Sequence, residues 1–116
     1  MLMNEILIHR RKNLSLFQQT KELTLYSLVG CASKKMRGIT LNYDDANKSI
    51  VTIIFFDMEL SEEEEEAMQI ANTEVIAGIH NEVTGEFVLT LTVVPPSESI
   101  LDKCGNWGWI YLRHEY

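Results

Sequence analysis

The chain has little of what usually fixes a protein's chemistry in advance. Only two of its 116 residues are cysteines and two are prolines. Cys31 and Cys104 stand far apart, outside any C-x-x-C spacing and with no histidine beside them, so no disulfide framework is indicated. No stretch approaches the roughly 20 apolar residues that cross a bilayer. The opening MLMNEILIHRRKNLSLFQQ lacks the signal-peptide order of basic residues, apolar run and small cleavage residues. These absences predict a cytoplasmic protein with reduced thiols, away from the membrane, folded as a single domain over residues 1–116.

Basic residues are scarce beyond residue 40. Residues 1–40 hold seven Lys or Arg and two Asp or Glu, a charge of +5; residues 41–116 hold three and fifteen, −12. Together they make the chain's −7. An acidic body repels phosphate backbones and draws cationic partners by long-range steering. A nucleic-acid partner is therefore not expected.

Groups that perform chemistry are equally thin. His9, His80 and His114 are isolated, and there is no H-E-x-x-H, no G-x-S-x-G and no phosphate-cradling glycine loop. Glu62 to Glu66 lack the D-x-D-x-D-G spacing of a calcium loop, and consecutive helical residues fan out around the axis instead of converging on one ion. The expectation is no catalytic residue, no cofactor and no metal.

What is there is a clear succession of elements. Residues 14–32 read as a helix, with Leu16, Leu23, Tyr26 and Val29–Gly30 recurring at three- and four-residue steps. RGITLNY then alternates, Ile39, Leu41 and Tyr43 against Thr40 and Asn42. A turn at 44–48 leads into SIVTIIFFD, apolar on both faces, which reads as a central strand paired with the one before. Ser61 opens a second helix through an S-x-x-E capping box with Glu64, and Met68, Ala71, Val75 and Ile79 form its core stripe. EFVLTLTVV alternates until Pro95-Pro96 stops it. In WGWIYLR, Trp107, Trp109 and Tyr111 are expected on one face. The order α-β-β-α-β-β predicts an α+β fold with an antiparallel sheet of about four strands packed with helices.

The unexplained feature is the glutamate run. At 100° per residue, Ile70 falls opposite the core stripe, with Ala77 beside it and Glu63, Glu66 and Glu74 around them. An apolar centre within carboxylates has the form of a small binding hot spot. The plainer reading also stands: single exposed apolar residues are common, and glutamates in a first turn suit the helix dipole. Asp57 and Glu59 add two charges just before the helix, more than capping explains. The candidate partner-binding surface is therefore Asp57, Glu59, Glu62, Glu63, Glu66, Ile70 and Glu74, with Asp44 and Asp45 in the hairpin turn as outliers. The two tryptophans read either as sheet-covering residues or as a ligand platform.

Four ordered segments resemble one known family. Met36-Arg37-Gly38-Ile39-Thr40 is similar to a basic N-L-R-A-V-T-like start of a first strand. Residues 54–66, IFFDMELSEEEEE, are similar to F-x-F-D-G-E-x-S-E-E-D-x-E. T-E-V-I-A is intact from Thr73 to Ala77, and Trp109, Tyr111, Arg113 and Glu115 fit W-x-Y-x-R-x-E. Met58 replaces a glycine of the pattern, Gly78 stands where an acid is common, and a Y-P-E-P-I-like loop has become residues 94–100, VPPSESI. The pattern resembles the CdiI-type immunity proteins of contact-dependent growth inhibition and related polymorphic toxin systems. That resemblance implies a non-catalytic antidote binding the C-terminal toxin domain of its own system in a one-to-one complex. Many such toxins are nucleases, often tRNases, with basic clefts. The rival expectation is a regulatory or subunit-interaction domain whose acidic helix is merely solvated.

Overall fold

The computed structural model describes residues 15–28, 34–79 and 86–113. Its elements are α1 (Leu16–Ser27), β1 (Met36–Asp44), β2 (Ser49–Phe56), α2 (Glu62–Ala77), β3 (Phe87–Val93) and β4 (Trp109–Leu112). β1 and β2 pair antiparallel as the sequence predicts. The Asp44 carboxylate folds their turn by accepting from the Ala46 N–H (3.0 Å) and the Asn47 side-chain amide (2.7 Å). This is the local backbone mimicry for which turns favour Asp.

The expected antiparallel sheet is in fact mixed. From the end of β2, α2 carries the chain back along the sheet, so β3 lies parallel to β2, from Ile50 opposite Phe87 to Phe56 opposite Val93. A tight turn reverses a strand, whereas a helical crossover returns the next strand in the same direction. β4 pairs antiparallel with β1, giving the order β3-β2-β1-β4. A 3-10 turn, Leu101–Lys103, adds an element that the expected order lacked.

Both helices cover one face. Leu28, Met68 and Ala71 pack there on Met36, Ile39, Leu41, Ile50, Ile54 and Phe56. Full burial of side chains this size contributes about 1.5–3 kcal/mol each. The expected α2 stripe is confirmed at Met68, Ala71 and Val75, all buried. α1 differs from expectation. Ser15 and Gln18 form a capping box at its start, and its buried face is polar: Gln19, Thr20 and Thr24 beside Leu23. Tyr26 lies about 60° around the axis from Leu23, beyond that face and 68% exposed. The last residues of the expected 14–32 helix lie outside the described residues.

A loop covers the other face. Val94 and Ile100 pack there on Phe55, with Ile53 and Trp109 against them. Arg37, fully buried, fastens this loop to β1 by donating to the carbonyls of Val94 (3.0 Å) and Pro95 (3.1 Å). Trp109 and Tyr111 do not share a face as predicted. The register between β1 and β4 slips between Ile39 and Thr40, so Tyr111 packs on the helix side and Trp109 on the loop side. A bulge breaks the two-residue period in this way. Trp109 crosses the sheet at Gly38, where an added Cβ would lie 2.9 Å from its ring. Trp107 stacks on Tyr43 at 4.5 Å and meets Phe17 edge-on at 5.1 Å, tying α1 to the sheet. Both tryptophans are thus covering residues.

Candidate functional site: an acidic end of the sheet

The junction from β2 to α2 gathers most of the predicted surface. Ser61 Oγ accepts from the Glu64 N–H (3.1 Å) and Glu64 Oε1 accepts from the Ser61 N–H (3.0 Å), the capping box that the sequence predicts. Lys35 Nζ also donates to Glu64 (2.8 Å) and to the Glu59 carbonyl (3.2 Å). The Lys35 hydrogen bond, seconded by the Ser61 N–H, lowers the Glu64 carboxyl to about 2. Asp57 accepts from Arg113 at 3.0 Å, and Arg113 also donates to the Lys34 carbonyl (2.7 Å). Two carboxylates of this end therefore serve the fold.

The others do not. Glu59, Glu62, Glu63, Glu65 and Glu66 are all exposed and form no ion pair among the described residues. Along α2, Glu63, Glu66, Ile70, Glu74 and Ala77 form an exposed ridge at three- and four-residue steps, with Ile70 55% exposed. Glu74 stands on that ridge about 18 Å from Glu62 along the axis. Asp44 and Asp45 are not brought to this end. They lie at the far end of β2, about 25 Å away for a strand of that length. Each is also engaged locally: Asn47 hydrogen bonds lower the Asp44 pKa, and Asp45 accepts from Lys48 at 2.9 Å.

Beside the acidic junction is a pocket of about 360 Å³ lined by Phe56, Glu59, Leu60, Glu65, Leu91 and Val93. It lies at the carboxyl ends of the two parallel strands, next to the start of the crossover helix, where open sheets of this connectivity commonly form clefts. Sequence reasoning missed Phe56, Leu60, Glu65, Leu91 and Val93; the last two join the site only because the parallel placement of β3 brings its end beside α2. Met58, in the turn above, is 55% exposed. Among the described residues no three His, Cys, Asp or Glu side chains gather closely enough to hold a metal ion. The three histidines and Cys31 lie outside the described residues.

Fold and site together define a small α+β protein that presents charge and apolar area at one end of a mixed sheet, the form of a binding surface. A model of the MafI2 immunity protein family matches residues 19–115, and the chain belongs to that family. It is a polymorphic-toxin immunity protein, of a kind that neutralises a toxin and is generally non-catalytic. The match covers all four segments that resemble the CdiI-type proteins, under a different family name. No curated protein matches the chain. Among the described residues no helix is long and apolar enough to cross a membrane.

Proposed function

We propose that this protein acts in the cytoplasm as a single domain, binding one copy of its cognate toxin domain, a basic, tRNase-like nuclease. In this reading the toxin belongs to a contact-dependent inhibition or related system, and its cationic active-site or substrate surface docks on the acidic end of the sheet and the α2 ridge. Five exposed carboxylates that form no ion pair among the described residues carry the reading. Capping accounts for Glu64, and the helix dipole favours charge only within the first turn. Glu59 precedes the helix, and Glu66 lies beyond that turn. Their mutual repulsion is a cost that a cationic surface would offset on docking. The carboxylates would stand where substrate phosphates bind, steering gives fast capture, and exposed Ile70 supplies an apolar centre.

The test is binding of the toxin domain encoded beside this chain, with growth rescue on co-expression. Reversing Glu63→Lys and Glu66→Lys together should slow association about tenfold and flatten its dependence on ionic strength. An unchanged association rate would remove this face from the interface.

A further inference from the structure

We infer that the pocket between α2 and the ends of β2 and β3 receives one lysine or arginine side chain of the toxin. This rests on the toxin-binding reading and names the chemistry of its central contact. The walls supplied by Phe56, Leu60, Leu91 and Val93 are apolar, and the remaining lining residues are Glu59 and Glu65. A wholly apolar occupant would strip water from two carboxylates without replacing its hydrogen bonds, and an anion would be repelled. A long cationic side chain matches both parts, its methylene stem lying along the apolar wall and its head meeting the carboxylates. Among the described residues the neighbouring cations bind other carboxylates: Lys35 pairs with Glu64, and Arg113 with Asp57. The volume of about 360 Å³ suits one such side chain with a few waters and lies low in the roughly 300–1,000 Å³ range of ligand pockets. Val93, 46% exposed at the end of β3, marks the rim.

The experiment measures affinity for the adjacent toxin domain by calorimetry, using wild type, the Glu59→Gln/Glu65→Gln double variant and Val93→Trp. Each surface lysine and arginine of the toxin is also changed in turn to methionine, which keeps the stem. The glutamine pair keeps the pocket's shape and removes its charge; the tryptophan fills it from an exposed position. Each change should weaken binding about tenfold or more, as for a central hot spot. One toxin substitution should weaken binding to wild type equally and add nothing in the glutamine variant. Thermal unfolding reports that the variants are folded, and the isosteric glutamine pair decides the matter if Val93→Trp is not. Affinities within about twofold of wild type, or a loss coupled to no single toxin cation, would overturn the pocket assignment and leave the immunity reading standing. Failure of the wild-type chain to bind the toxin would overturn both.

Discussion

On one side of the sheet the last strand, β4, is four residues long, and ahead of its start the loop at 105–108 already pairs with β1. Asn106 stands in for a strand residue: its side chain accepts from the Tyr43 N–H (2.7 Å) and donates to the Tyr43 carbonyl (2.6 Å). Thr40 Oγ1 accepts from the Gly105 N–H (2.8 Å) and donates to the Gly108 carbonyl (2.6 Å). On the other side β3 runs for seven residues, FVLTLTV, without a charge or a proline. Among the described residues no backbone hydrogen bond reaches its outer edge. Natural sheets shorten, charge or cover such edges because a bare one recruits other chains. Among the described residues, hydrogen bonds tie the side next to β4 together, whereas the side next to β3, with the pocket and the exposed carboxylates at its end, meets no backbone partner at its outer edge.

The largest effect that separates the two sides is expected at Gly105. A Cβ there would lie 2.2 Å from the Leu41 carbonyl oxygen, a backbone atom that cannot swing aside. Gly105→Ala must therefore lift the loop off β1 and loosen the hydrogen bonds of Thr40, Asn106 and Trp107. A stability loss of about 3 kcal/mol is expected in urea unfolding. Toxin affinity of the folded fraction should stay at the wild-type value. A matching loss of affinity would show that the two sides are not separable.

This division was only partly legible in the sequence, and the reason is range. The hairpin, the Ser61–Glu64 capping box and the Met68–Ala71–Val75 stripe depend on residues a few positions apart, and each is found as read. The direction of β3 depends on α2 packing back across the sheet, which alternation within FVLTLTV does not encode. The position of Trp109 depends on a bulge between its own pairing with Thr40 and that of Tyr111 with Ile39. Arg37 belongs to a basic strand start in the sequence, yet it is buried, donating to two carbonyls just past the end of β3. In the candidate site, the exposure of Ile70, Glu63, Glu66 and Glu74 followed from the helical wheel alone. The internal pairing of Asp57 with Arg113 spans 56 residues and had no local signal.

A smaller effect is expected where the acidic end serves the fold. The Glu64 carboxyl falls from 4.5 to about 2 on folding, so its ionised form is favoured in the native state. Its contribution is therefore present above the unfolded value of 4.5 and is lost as pH falls from there towards about 2. Glu64→Gln keeps an amide able to complete the capping box and removes the charge that holds Lys35. The variant should unfold at lower denaturant than wild type at neutral pH, and the difference should shrink through that acid window. A gap that persists below about pH 2 would assign the effect to packing instead of ionisation.

The smallest effect should come from Asp45, and it bears on which acidic residues belong to the interface. The sequence added Asp45 to the candidate surface as an outlier in the hairpin turn, and the strand places it at the opposite end, exposed and bonded to Lys48. An ion pair three residues apart on the surface is screened by solvent and contributes little. Asp45→Asn should therefore leave the unfolding midpoint unmoved. Its distance from Glu59 and Glu62, about 25 Å, exceeds the Debye length of about 8 Å at physiological salt, so toxin association should also be unaffected. If that single substitution instead slowed association as much as the paired reversal of Glu63 and Glu66, docking would have to extend along the whole length of β2. The toxin would then recognise the protein's total charge and not the end of the sheet where the exposed carboxylates gather.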